Sequence, residues 1–591
     1  MYGLLSLLLL LRFFAAAVSA SSTSFPDRFT SSSLRRHKSQ EYFELGRPLP
    51  SDLLPPSCYR RVLTHSFANT INGPPFSAPY TPPPPSESSV CSAPWSHVAL
   101  EFRAKCKGEQ YDRIAGIWLG GVELLRTSTA EPTEKGIFWK VRKDITKYSS
   151  VLARCDLNLT MMLENVVDRV YTGVYHVEVH FLYYKANVPV SEPRVSSILG
   201  DQTFNGQKLG IVVPEEPADL IVPISDDGDR GFWFRIDSES DLPSKQIQLP
   251  RNTRRVVLEL YVSFHGNDEF WYSNPPNLYI TTNNLTTGRG NGAYREVFVT
   301  VDGQLVGSEV PFPVVFTGGI NPLFWEPVVA IGAFNLPSYD FELTPFLGKL
   351  LDKKAHSFGI GVTDGISYWL VNANLHIWLD HKSKAVKAKS NSFPSPAVEV
   401  KRNAQFKKLD GSFRIKARRR SDFVGWVKSS SGNYTTTFSQ KYKFSSSVSF
   451  GKNGTYKLVN QRIKAEKEVR VVSEIGVVVL RIRVKGRYPI DVITATLPGK
   501  KKDTYVLLTN VTHSVKERSW HGGYLSRVNN IQDSRGWMEV RDHSVLSGTA
   551  DTQQSFGYKD NFGCYSRTIG AVDGSLISDN SSFHCISAAR F

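Results

Sequence analysis

Two short stretches of this 591-residue chain set carboxylates beside aromatic rings and cations. In the first, Gln110-Tyr111-Asp112-Arg113-Ile114-Ala115-Gly116-Ile117-Trp118-Leu119, an Asp-Arg pair opens an apolar run that reads as a strand. The second, His265-Gly266-Asn267-Asp268-Glu269-Phe270-Trp271-Tyr272, follows the apolar run 256–264. A carboxylate at a strand end can be held in a cleft, where its neighbours set its orientation for general acid or base work. Rings beside it offer faces on which sugars stack. An Asp-Arg pair at a strand start also serves as a plain structural ion pair, and residue types alone do not separate the two. His176 and His180 lie two pleats apart on one strand face. No carboxylate or third ligand stands with them, so an exposed His pair is expected and no metal is assigned. The sequence has no G-x-S-x-G elbow, no H-E-x-x-H and no phosphate-cradling glycine loop. It gives no sign of a nucleotide, haem or flavin, and no cofactor is expected.

The elements that would position these acids are short strands. Val174-Tyr175-His176-Val177-Glu178-Val179-His180-Phe181 alternates apolar with polar side chains, as a strand with one buried face does. Residues 256–264 and 296–301 read similarly. Turn residues punctuate them at Gly120-Gly121, Asn252, Asp302-Gly303 and Gly318-Gly319, and Asn453-Gly454 reads as a hairpin turn. Helical turns are expected only near 145–152 and 345–351. The class is mainly β, built of antiparallel sandwiches. Composition places a leader at 1–20, a mobile Pro/Ser-rich segment at 21–89 and a first sandwich at 90–190. A connection at 191–215 leads to a second sandwich at 216–380. A basic linker at 381–400 then precedes a C-terminal β domain at 401–591.

The net charge of +16 is concentrated: residues 381–420 hold thirteen Lys or Arg against Glu399 and Asp410. That stretch lacks interleaved aromatics at 382–389, which argues against nucleic acid, and suits an exposed linker open to proteases. The apolar residues 4–11 and the small-residue ending Val18-Ser19-Ala20 read as a signal peptide. No later segment has the ~20 apolar residues of a membrane span. Six cysteines fit disulfides better than zinc, with Cys564–Cys585, Cys106–Cys155 and Cys58–Cys91 as the expected pairs. Sequons at Asn158, Asn284, Asn433, Asn453, Asn510 and Asn580 agree with secretion to the apoplast or vacuole.

The block Tyr111-Asp112-Arg113 through Leu119, with the continuation Gly120-Gly121-Val122-Glu123-Leu124-Leu125-Arg126-Thr127-Ser128-Thr129-Ala130-Glu131-Pro132-Thr133, resembles the signature of plant and fungal glycoamidase A, or peptide:N-glycanase A. Gln248-Leu249-Pro250-Arg251-Asn252-Thr253 and Asp219-Leu220-Ile221-Val222-Pro223-Ile224 are similar to segments of the bacterial peptide:N-glycosidase F. The resemblance implies two tandem eight-stranded jelly rolls with the active site in the cleft between them. It implies release of N-linked glycans from glycopeptides and denatured glycoproteins by cleavage of the asparagine side-chain amide. Asp112 inherits the principal catalytic role, Glu269 that of the second acid, and Glu164, matched with a small gap, that of a glycan-binding acid. Arg113 would hold Asp112 ionised or stabilise an oxyanion, and His265 and Trp271 would grip the sugar. In the bacterial enzyme two cysteines flank the second acid, whereas Asp268 and Phe270 stand around Glu269 here. The family also implies a possible proteolytic split, at 382–389 or at Arg418-Arg419-Arg420. A secreted glycan-binding sandwich without activity, or a glycosidase working with paired carboxylates, fits the same residue types.

Overall fold

The computed structural model describes residues 39–84, 91–185, 203–204, 207–208, 216–391 and 397–584. The expected leader at 1–20, most of the connection at 191–215 and Cys585 lie outside these residues. The architecture is mainly β. The first sandwich pairs a five-stranded sheet, ordered Gln40–Tyr42, Ile137–Asp144, His97–Cys106, Tyr175–Tyr184 and Cys58–Phe67, with a four-stranded one. The latter runs Phe76–Tyr80, Leu157–Leu163, Ile114–Leu119 and Val122–Ser128. In the second sandwich, Leu220–Ile224, Ile366–Leu379, Thr253–Phe264 and Ser338–Glu342 lie side by side, and Phe234–Ser238 also pairs with Ile366–Leu379. They face Ser244–Ile247, His356–Thr363, Glu296–Val301 and Gln304–Glu309. The expected helical turns occur at Thr146–Leu152 and Thr344–Leu350.

Within the N-terminal tract, residues 39–84 form strands rather than the mobile chain their composition suggested. Cys58–Phe67 pairs along its length with Tyr175–Tyr184 and buries Leu63 and Phe67. Pro79 sits in Phe76–Tyr80, an edge strand, where a residue without an N–H costs least. The Cys58–Cys91 disulfide ties this strand to the chain entering the sandwich. Cys564 is also disulfide-bonded. Cys106 and Cys155 are not bonded. Cys106 is buried at the end of His97–Cys106, paired with Ile137, whereas Cys155 is exposed between the helical turn Ser149–Leu152 and Leu157–Leu163 of the other sheet.

Val122–Ser128 is buried at every position because it lies in the junction between the sandwiches. Arg126 makes a two-point ion pair with Glu123 and also donates to the Leu370 carbonyl, Asn372 and Ser263 of the second sandwich. Burial raises the Glu123 carboxyl against the opposing pull of Arg126. Asn374 and the Glu123 backbone exchange two hydrogen bonds across the same junction. Deeper in the junction, Glu259 accepts from Lys147, Tyr148, Ser338 and His376. Burial opposes its ionisation, but Lys147, His376 and Lys143 hold its carboxyl well below the usual range. A buried charge that lost such partners would cost several kcal/mol, so the relative placement of the sandwiches is tightly specified.

The C-terminal region is an eleven-stranded antiparallel sheet with strands of up to 21 residues. Lys452-Asn453-Gly454-Thr455 joins two of them, Gly432–Gly451 and Tyr456–Ser473. Their long alternating burial lets one face pack on the second sandwich: Phe423 on Phe346, Tyr279 among Phe406, Phe413 and Phe450, and His513 stacked on Phe312. The basic stretch belongs to this sheet. Lys387–Ser390 and Glu399–Lys407 both pair with Asp410–Ser429, where alternation keeps most of the cations in solvent. Arg419 instead reaches Glu296 in two-point contact.

Candidate active site

The register of one sheet sets three acids at a common end. Ile114 pairs with Ser128, and Ala115 with Leu163. Asp112 lies two residues before Ile114, Glu131 three after Ser128 and Glu164 one after Leu163. Asp112 and Glu131 are buried, at 4% and 3% exposure. The Asp112 segment is clamped from both sides. Gln110 donates to the Val166 and Gly173 carbonyls, and the Tyr175 hydroxyl donates to the carbonyls of Tyr111 and Ala130. Burial holds the Tyr175 phenol far above its ordinary range, so it is a neutral donor. Arg113 and Thr129 exchange two further bonds.

The Arg113 guanidinium does not pair with Asp112. Its Nη2 donates to Gln110 at 2.5 Å, and its buried Nε has no partner among the described residues. Asp112 Oδ1 is likewise buried without a hydrogen bond. An unsatisfied donor and acceptor on adjacent residues are uncommon in a folded interior.

Glu269 comes from the second sandwich. After Thr253–Phe264 the chain turns through Gly266–Asp268, and Glu269, at 3% exposure, ends that turn. Gly266 has φ +57, and a Cβ there would meet the Ser367 carbonyl at 2.9 Å, so both conformation and space require glycine. Asp268 is fully buried and accepts from Arg295 at 2.8 and 2.5 Å, from Trp369 Nε1 at 2.7 Å and from the Ile366 N–H at 2.9 Å.

One loop touches all these parts. Phe316 stacks on His265, Thr317 donates to the Thr129 carbonyl, Gly318 lies against Asp112 and Glu131, and Gly319 lies against Phe270. It thereby couples the Asp112 end of the first sandwich to the turn that carries Glu269.

The remaining expected residues are placed differently. Glu164 is half-buried and pairs at 3.2 Å with Arg230, which also donates to Asn72. His265 is buried between Phe316 and Tyr368 and bonds Ser263 through Nε2, so its ring is packing. Trp271 is 0% exposed and packs on Phe264 and on Phe444 of the C-terminal sheet, so it has no face for a sugar. A bulky apolar ring beside a catalytic motif reads the same in sequence whether it faces the cleft or the core. The half-buried rings near Asp112 are Tyr111 and Tyr171, 5.2 Å apart. His176 is exposed and bonds Ser66, whereas His180 is buried and stacked on Tyr59, so the pair is not wholly exposed as expected. Glu131, Asp268 and Gly318 were named in the sequence but given no role at the site. The signal for Glu131 was its place just beyond the strand that pairs with residue 114.

Fold and site define a mainly β protein with carboxylates gathered where two sandwiches meet. The chain belongs to the family described as Peptide N-acetyl-beta-D-glucosaminyl asparaginase amidase A, which matches residues 48–395, and the PNGase_A C-terminal domain matches 412–484. It is 41% identical over 547 residues to Peptide-N4-(N-acetyl-beta-glucosaminyl)asparagine amidase A of Prunus dulcis, covering 92% of this chain and 93% of that protein. The glycoamidase A resemblance drawn from residues 111–133 is thus borne out. Among solved structures, PNGF-II matches with TM-score 0.35 at 10% identity, covering 55% of this chain and 66% of its own. PNGase F, a glycosylasparaginase from Flavobacterium meningosepticum, matches with TM-score 0.33 at 12% identity, covering 55% of this chain and 96% of its own.

Proposed function

We propose that the chain hydrolyses the amide joining an asparagine side chain to N-acetylglucosamine, with Asp112 as the base. Family membership supports the reaction. The observation that supports the residue is the buried, unpartnered Oδ1 of Asp112 beside the unpartnered Nε of Arg113. Asp112 takes a proton from water as the water oxygen bonds to the side-chain carbonyl carbon. Arg113, oriented by Gln110, donates from Nε to the oxyanion that develops. As the C–N bond breaks, Glu269 delivers a proton to the leaving nitrogen. The products are a peptide aspartate and a glycosylamine, which decomposes in water. Glu164, with Arg230 and Asn72, binds the sugar at the rim, and Tyr111 and Tyr171 supply the stacking surface first sought in Trp271.

The burial of Asp112 restricts the substrate. An asparagine on a rigid folded surface cannot bring its side-chain amide to a 4%-exposed carboxylate, so glycopeptides and unfolded glycoproteins are the substrates. We place the protein outside the cytosol. Its two disulfide-bonded positions, Cys58–Cys91 and Cys564, support this, as do exposed sequons at Asn158, Asn284, Asn453, Asn510 and Asn580, with Asn433 half-buried. Processing, where it occurs, falls at the exposed turn near Lys382 and Lys384, because Arg418-Arg419-Arg420 lies inside a long strand paired in register with Gly432–Gly451.

Hydrolysis in 18O-labelled water tests the bond broken. Label in the new aspartate carboxyl supports amide cleavage. Label in released sugar, with sugar left on asparagine, identifies a glycosidase, and an unchanged glycopeptide leaves a glycan-binding protein.

A further inference from the structure

We propose that Glu131 is the positioning partner of Asp112, the two carboxyl groups holding one proton between them and thereby fixing the orientation and base strength of Asp112. This rests on the reading of Asp112 as the base. A Cβ on Gly318 would meet Asp112 Oδ1 at 2.5 Å and Glu131 Oε1 closer still, so the two oxygens lie no more than about 5 Å apart. Both side chains are at most 4% exposed. Two carboxylates that close, with little water to screen them, repel one another, and one proton between them relieves that repulsion. The geometry is built in: register brings both residues to one sheet end, and Gly318 leaves the space that lets them converge. Its φ is unexceptional, so the need for glycine here is steric.

The other charged or titratable groups around the pair have identified settings. Arg113 is held by Gln110, and Tyr175 is a neutral donor to the Tyr111 and Ala130 carbonyls. Glu269 and Arg289 flank Phe270, whose ring touches Gly319 and takes the Arg289 guanidinium at 5.1 Å. Glu326 ends the turn whose Trp325 donates to the Gly319 carbonyl.

The test compares wild type, Glu131→Gln and Gly318→Ala, the last inserting a methyl group between two unaltered acids. Turnover of a glycopeptide is followed against pH, and infrared difference spectra without substrate report a protonated carboxyl. We expect both variants to lose about 10- to 100-fold in kcat with KM changed less than about threefold. In Glu131→Gln the acid limb of the pH profile moves to higher pH, because the proton shared by Glu131 no longer stabilises the ionised Asp112 carboxylate. The protonated-carboxyl band present in wild type weakens in Glu131→Gln. Wild-type kcat and an unmoved acid limb in Glu131→Gln, with Asp112→Asn inactive, overturn the partnership but leave Asp112 as base. An active Asp112→Asn removes the base reading itself, and the infrared comparison still decides whether the pair shares a proton. Should Glu131→Gln fail to fold, Gly318→Ala and Glu131→Asp carry the same readouts.

Discussion

Asp268 and Arg295 form a fully buried two-point ion pair, with N–O distances of 2.8 and 2.5 Å, directly beside the acid Glu269. The adjacent acids divide the work. Asp268 spends its oxygens on Arg295, Trp369 and the Ile366 N–H, and so fixes the turn from which Glu269 projects. Replacing Asp268 by Asn strands a buried guanidinium, at a cost of about 3–5 kcal/mol. Thermal unfolding should show that loss, and kcat should fall in whatever protein remains folded. A variant with unchanged stability would mean that the turn is held by other contacts.

Trp271→Ala separates packing from sugar binding. Removing a fully buried Trp from between Phe264 and Phe444 should cost about 3–5 kcal/mol. The glycopeptide KM of the folded fraction should stay near the wild-type value. A large rise in KM with intact stability would return Trp271 to the sugar site.

His513 gives the docked C-terminal sheet a pH dependence. Burial pushes its imidazole down from an ordinary 6.5 to about 3, and neither ring nitrogen has a hydrogen-bond partner. The folded chain therefore keeps His513 neutral while the unfolded chain takes up a proton below 6.5. The stabilisation is complete above pH 6.5 and is lost as pH falls toward 3, by at most about 1.4 kcal/mol per pH unit. His513→Leu, stacked in its place on Phe312, should flatten denaturant-measured stability across that window. An equal slope in both proteins would exclude His513 as the cause.

Brief trypsin treatment of the native protein should cut at Lys382 or Lys384 and spare Arg418-Arg419-Arg420, which lies inside a long strand paired in register with Gly432–Gly451. Mass spectrometry of the early fragments checks this, and first cleavage after Arg418 or Arg420 would contradict it.

What was readable in the sequence was local. Alternation at 174–181 and 256–264 located the two strands that carry or border the site, and Asn453-Gly454 located a hairpin turn. Asp112 and Glu269 were found as acids at strand ends, and both lie buried where the sandwiches meet. The misreadings arose where tertiary context overrides composition. Proline-rich chain formed edge strands because an edge tolerates Pro79. Cys106 and Cys155 proved to sit in different elements, the first ending a strand of one sheet and the second just before a strand of the other. Aromatic type could not tell the core ring Trp271 from a cleft ring. The convergence of Glu131 on Asp112 depends on register and on the room beside Gly318, and neither is visible in one dimension.

The central claim is that Asp112 performs amide hydrolysis. Purified protein and Asp112→Asn are incubated with one N-glycopeptide, and the peptide is weighed by mass spectrometry. The account predicts conversion of the glycosylated asparagine to aspartate by wild type, with a rate at least about 10³-fold lower in Asp112→Asn and an unchanged unfolding temperature. Conversion at a similar rate by both proteins would contradict it.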